Sequence, residues 1–162
     1  MCHAPIGYDP DTILAKLRKL VEHRGQANGF VKENPHGLEN CSILPNTLHE
    51  MLCMSHQHVL RLFPVWPKGK DARFAGLRAW GAFVVSSELK DGTVSHVRIH
   101  SERGRPCTVE NPWPQRPVAV TRAERRAETV SGARFTLATQ VNELITLTPA
   151  GGGASASEQP VP

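Results

Sequence analysis

Apolar and polar positions alternate most cleanly between Ala82 and His100. Ala82 to Leu89 and Thr93 to His100 read as two strands flanking Asp91-Gly92, a strong short-range hairpin signal. A two-residue loop sets Leu89 opposite Val94 and then Val85 opposite Arg98, which mixes the faces. A three-residue loop, Lys90-Asp91-Gly92 with Gly92 left-handed, sets Val85 opposite Val97 and Phe83 opposite Ile99. That register gathers the apolar residues on one face and leaves Ser86, Glu88, His96 and Arg98 on the other. A one-residue slip turns the whole apolar set into water, so the three-residue loop is expected. The stretch from Phe74 to Cys107 then reads as a β-meander whose single apolar face needs a second layer.

Helical spacing dominates earlier in the chain. Asp9-Pro10-Asp11 has the form of a helix start, and Ile13, Leu14, Leu17, Leu20 and Val21 recur on one stripe. Lys19, His23, Arg24 and Gly25 suit its end, which predicts a helix over Pro10 to Arg24. Gln26 to Asn40 reads as a loop. A second helix is expected over Leu44 to Ser55, with Pro45 in its first turn and Leu48, Met51, Leu52 and Ser55 on one stripe. Two such helices make an αα-hairpin that cannot be stable alone.

Short strands are expected at Val59 to Phe63, Thr108 to Glu110, Val118 to Thr121, Arg134 to Thr139 and Glu143 to Thr148. Lys68 to Ala72 reads as a polar connection and Asn111-Pro112-Trp113-Pro114 as a proline-stiffened turn. The expected fold is mainly β: an N-terminal α-helical hairpin followed by an antiparallel β-sandwich. The boundaries expected are 1–57 for the hairpin, 58–149 for the sandwich and 150–162 for a small, polar, disordered tail.

Composition narrows the function classes. The 162 residues suit one domain of ordinary size, and 40% hydrophobic content is that of a soluble globular chain. No apolar run approaches the ~18–20 residues of a membrane span, so a membrane partner is not expected. No export leader opens this chain, and the compartment is left unassigned. The net charge of +4 comes mainly from Arg103, Arg105, Arg116, Arg122, Arg125, Arg126 and Arg134. Acids and prolines interrupt these arginines and few aromatics lie among them, so a solvated surface is expected rather than nucleic-acid binding. Cys2, Cys41, Cys53 and Cys107 are too scattered for a disulfide scaffold and form no CxxC. Cys53 is expected to be a buried small hydrophobe.

Candidate chemistry is sparse. His49-Glu50 opens like a zinc-protease motif, but Cys53 stands where the second histidine belongs. His56 and His58 share a face on a strand and diverge at a helix end. His96 and His100 lie on one strand face ~13 Å apart. No metal site and no cofactor are expected. No G-x-S-x-G elbow supports a serine nucleophile. Trp66, Trp80 and Trp113 offer indole faces that stack on sugar CH groups, although Trp66 and Trp113, set beside prolines, also suit the ends of a sandwich core. Glu39 lies directly before the second expected helix. The N–H groups of a helix start favour an ionised carboxylate, the form a general base needs, and also the form that simply stabilises the helix.

Several short motifs resemble glycoside hydrolase family 95, the inverting α-L-fucosidases. Glu50-Met51-Leu52-Cys53-Met54-Ser55-His56 is similar to the Glu-Met-Leu-Leu-Gln-Ser-His-like run that ends a barrel helix in that family. Phe63-Pro64-Val65-Trp66-Pro67-Lys68 resembles its Leu-Pro-x-Leu-Pro-like turn. Leu77-Arg78-Ala79-Trp80-Gly81-Ala82-Phe83 resembles the Leu-Arg-Ala-x-Gly-Gly-Phe-like opening of its C-terminal sandwich. The resemblance runs from about Tyr8 to Cys107. It implies a C-terminal piece of a glycosidase, the last barrel hairpin plus the sandwich, with a fucosylated or related glycan as ligand of the parent barrel. Members of the family are often exported. It also implies that Glu39 stands at the catalytic aspartate and activates the attacking water, with Asn40, His36 and Trp66 beside the sugar. Glu39 is one methylene longer than that aspartate, and Asn40-Cys41-Ser42-Ile43 replaces the family's Gly-Asn-Phe-Gly. An inverting glycosidase needs a second carboxyl ~6.5–9.5 Å away. The resemblance puts that group earlier in the barrel, so the chain is not expected to be catalytic alone. The alternative expectation is a non-catalytic carbohydrate-binding or structural sandwich.

Overall fold

The computed structural model describes residues 8–27, 32, 38–123 and 125–151, and at 38–40, 125 and 126 the backbone alone. Helix α1 spans Pro10–Arg24, as the sequence pattern predicts. Asp9 caps it: the carboxylate accepts from the Thr12 N–H and from the Thr12 hydroxyl, both at 2.8 Å. These bonds hold the Asp9 carboxyl below its ordinary pKa. Gly25 ends the helix for a reason other than a left-handed turn. Its φ is −69°, but a Cβ there would lie 2.5 Å from the Val21 carbonyl oxygen.

Helix α2 spans Leu38–Leu52, six residues earlier at its start than expected. Pro45 sits inside it rather than in its first turn, where it removes one interior hydrogen bond. At the other end the helix stops short of Ser55. Cys53–Met54 instead form strand β1, pairing with Leu62 and Arg61 of β2 (Val59–Leu62). A 3₁₀ turn at His56–His58 makes the reversal between them.

The remaining strands are β3 (Ala72–Ala79), β4 (Phe83–Lys90), β5 (Thr93–Ser101), β6 (Cys107–Glu110), β7 (Val118–Arg122), β8 (Arg125–Val130), β9 (Arg134–Leu137) and β10 (Glu143–Pro149). They form two sheets, ordered β1-β2-β6-β9 and β3-β4-β5-β10-β7-β8. The six-stranded sheet is antiparallel throughout, whereas β2 and β6 pair in parallel. The chain leaves the larger sheet after β5, returns at β7, leaves again after β8 and returns at β10. The inner faces share one core: Val85, Val97, Ile99, Val120, Ile145 and Leu147 from the larger sheet, and Cys53, Leu60, Val109 and Leu137 from the smaller. This is the sandwich the alternation demands.

The β4–β5 hairpin corrects the expected register. Its loop has two residues, Asp91 (φ 48°) and Gly92 (φ 71°), both left-handed, and Lys90 pairs with Thr93. The face-mixing that such a loop would cause is removed by a bulge between Glu88 and Leu89, which places Val85 opposite Ile99 and Phe83 opposite Ser101. The apolar set still shares one buried face. Three strands went unpredicted: β1, expected as helix, β3, bulged where Gly76 is left-handed, and β8, whose residues Arg125 to Val130 show no apolar alternation. The expected tail from 152 onward and Cys2 lie outside the described residues.

The helices join the sandwich through a second cluster. Met51, Met54 and Val65 are buried there, with Ile13, Leu14 and Leu17 of α1 and Trp66 packed against them. No residue of α1 is fully buried. Lys70, in the connection to β3, pairs with Asp11 and pins the helix start.

Candidate functional site

Two places on the molecule carry candidate chemistry, the helix α2 region and a groove at one end of the sandwich. Glu39 and Asn40 lie in the first turn of α2 rather than in a loop before a helix, and their side chains lie outside the described residues. His36 lies outside them as well. The first turn is the positive end of the helix dipole, so the physical reason for an ionised acid at 39 persists in the new placement. Trp66 is half-buried at the seam between the two clusters. Its indole N–H donates to the Lys70 carbonyl oxygen at 3.0 Å.

Glu50 stands near the C-terminal end of α2, with Oε2 2.9 Å from His56 Nε2. The alignment falls short of a hydrogen bond, so the contact is one of proximity. Desolvation, then the charge of Glu50, pushes the Cys53 thiol up to about 12. Burial does the same for Cys107. Both thiols are free and inert as nucleophiles. Among the described residues no three His, Cys, Asp or Glu side chains converge as a metal site.

The groove is built by three segments. The first is the reversal Ser55–His58, where Gln57 (φ 58°) and His58 (φ 60°) are both left-handed. The second is the turn Trp80-Gly81-Ala82 between β3 and β4. Gly81 has φ 95°, and a Cβ there would meet the Phe83 ring at 2.6 Å; Ala82 has φ 63°. The third is Arg105 to Thr108, leading into β6. Together they enclose about 480 Å³ over a floor that includes Leu60, Phe83 and Cys107.

The Trp80 indole stands 63% exposed at the mouth of the groove. Its position is fixed from several sides. The Trp80 backbone N–H donates to Ser55 Oγ at 2.9 Å, and the His58 ring meets the indole edge-to-face with centroids 5.0 Å apart. The Ala82 carbonyl accepts from the Glu102 N–H at 3.0 Å. Arg78 grips the Glu102 carboxylate with two bonds, at 2.9 and 3.1 Å. That pairing holds the Glu102 carboxyl below its usual range and raises the Arg78 guanidinium above its own.

From the sequence, Trp80 is one of three candidate indoles, whereas Ser55 reads as a helix residue and His58 as a surface histidine or metal ligand. His56 and His58 diverge: one meets Glu50, the other Trp80. The third indole, Trp113, is buried in the core, and its N–H donates to the Val94 carbonyl at 2.6 Å. A second cavity, of about 650 Å³, includes Glu110, Asn111, Arg116 and Arg134 in its wall. Three of its polar side chains are engaged in structure. The Asn111 amide donates to the Arg116 and Gly132 carbonyls, and Glu110 pairs with Arg61 and Arg134.

No helix among the described residues is long and apolar enough to cross a membrane. Residues 54–147 match the family model for the C-terminal domain of glycoside hydrolase family 95, well over half of the 162-residue chain. No curated protein matches the chain.

Proposed function

The chain belongs to glycoside hydrolase family 95 and carries its C-terminal domain over residues 54–147; from that premise we propose that it serves as the C-terminal segment of an α-L-fucosidase-like enzyme. In this reading residues 1–57 complete a catalytic α/α barrel and 58–149 form the sandwich that braces it. The parent enzyme hydrolyses O-glycosidic bonds of fucosylated or related glycans with inversion. Glu39 acts as general base: it takes a proton from the water that attacks the anomeric carbon while the bond to the leaving oxygen breaks. A carboxylic acid elsewhere in the barrel protonates that oxygen. Asn40, His36 and Trp66 line the sugar side.

The observation that carries this reading is where the family match begins. It starts at Met54, just past the end of α2, so both helices precede the C-terminal domain, where the proposed barrel would lie. The half-covered apolar stripe of α1 supports it, since such a stripe has room for further helices to pack. The test is complementation in trans. A family 95 barrel lacking its last hairpin and sandwich is mixed with this chain, and aryl α-L-fucoside hydrolysis is followed. Wild type should restore turnover and Glu39→Gln should lower it by about 10²-fold or more. Equal rescue by both variants removes Glu39 from the chemistry; no rescue by either removes the bracing role. A non-catalytic carbohydrate-binding module is the second reading, favoured by the exposure of Trp80.

A further inference from the structure

We propose that the groove headed by Trp80 is a saccharide-binding site, in which the apolar CH face of a pyranose ring stacks on the indole. The choice of saccharide rests on the glycosidase reading above; the existence of a binding groove rests on its own geometry. Trp80 offers a broad apolar surface to water, yet the turn that carries it is tightly fixed. The Trp80 backbone N–H is held by Ser55 and its ring is met by His58. The backbone is left-handed at Gln57 and His58 on one side and at Gly81 and Ala82 on the other. Left-handed backbone at three non-glycine residues costs energy, and such cost concentrates at binding and catalytic sites. Here it fixes an indole and an imidazole at the rim of one groove.

The lining selects the ligand class. The apolar floor and the indole favour a flat apolar surface, whereas Ser55, His58, Arg105 and Thr108 bring hydroxyl, imidazole and guanidinium groups to the same groove. A hydrocarbon ligand would strip water from those groups without replacing their hydrogen bonds. An anionic ligand would find Arg105 as the single permanent cation of the lining. A neutral polyhydroxylated ring satisfies both halves, with CH groups on the indole and hydroxyls on the rim. The groove volume of about 480 Å³ suits one or two sugar rings.

The experiment titrates the 162-residue chain with methyl α-L-fucoside, methyl β-D-galactoside, lactose and fucosylated lactose, by saturation-transfer NMR and indole fluorescence. At least one sugar should bind. Trp80→Ala should weaken that binding by about tenfold or more. Trp80→Phe should fall between the two, and His58→Ala should weaken binding by freeing the indole. Should Trp80→Ala fail to fold, the latter two variants carry the comparison. Binding of galactoside alone with the same Trp80 dependence keeps the groove and counts against fucose as the parent's sugar. Saturation by none of the four sugars at about 10 mM, or binding that Trp80→Ala leaves intact, overturns the proposal. An indole that contacts only protein would give that silent result.

Discussion

Arg122 is the buried charge on which the far side of the larger sheet depends, and its removal has a calculable cost. Its side chain is 4% exposed. Nη1 donates to Glu143 Oε1 at 2.9 Å and to the Ala138 carbonyl at 3.0 Å; Nη2 and Nε donate to Glu128 Oε1 at 2.9 and 3.2 Å. Burial opposes the charge, but Glu143 and Glu128 outweigh it and hold the guanidinium above its ordinary pKa. Arg122→Met keeps the stem and deletes the fork. Glu128 is half exposed, so water replaces most of its loss, at a cost of about 0–1 kcal/mol. Glu143 is 11% exposed and keeps the Gln140 N–H, but loses its guanidinium partner inside the sheet. Breaking one side of such a pair costs about 3–5 kcal/mol. A comparable loss is expected for Arg122→Met in urea unfolding at pH 7. The double variant Arg122→Met/Glu143→Leu should recover at least half of it, because the buried carboxylate that lost its guanidinium is gone. A single-variant loss under about 1 kcal/mol, or a double variant as unstable as the two singles summed, would refute the reasoning.

Further outcomes are expected elsewhere. His96 is half-buried on β5, and burial, then the Arg98 charge, lowers its pKa against the pull of Glu88. Protons therefore bind the unfolded chain more readily. This contribution to stability is complete above the unfolded pKa of about 6.5 and shrinks as the pH falls through the acid range below it. Thermal melts across that range should show His96→Gln losing less stability on acidification than wild type; parallel curves would contradict the assignment. Ile145 is 1% exposed at the centre of the larger sheet, and Ile145→Ala should cost about 2–5 kcal/mol in the same urea assay. A loss under about 1 kcal/mol would mean that the site collapses around the cavity. Cys53 and Cys107, each 1% exposed, should react with an aromatic disulfide reagent only as the chain unfolds, and labelling faster than global unfolding would reveal local opening of β1 or β6.

The parts of the fold that were legible share a cause. Helix α1 has a cap, a periodic stripe and a stop written in consecutive residues, and it forms at the expected bounds. The one-sided hairpin was legible because a face error would send Val85, Val97 and Ile99 into water. Its bulge was not, because two registers two residues apart satisfy the same pattern. Strands β3 and β8 flank the larger sheet and expose much of their length, so their residues carry little alternation to read. Helix α2 begins before Pro45, which local propensity reads as a start, and the helix runs through that residue instead. At the groove, the Trp80-Gly81 pair was visible in the sequence. The meeting of Trp80 with Ser55 and His58 depends on where β1 ends and β3 returns, which no local pattern encodes.

Hydrolysis of an aryl α-L-fucoside by the isolated chain tests most directly whether this sandwich with its two helices is the supporting end of a larger glycosidase. Under the proposed assignment, in which Glu39 is the one acid this chain contributes and the barrel supplies its counterpart, release above the buffer blank is not expected. Steady turnover that disappears in Glu39→Gln would contradict that assignment and make the chain an enzyme in its own right.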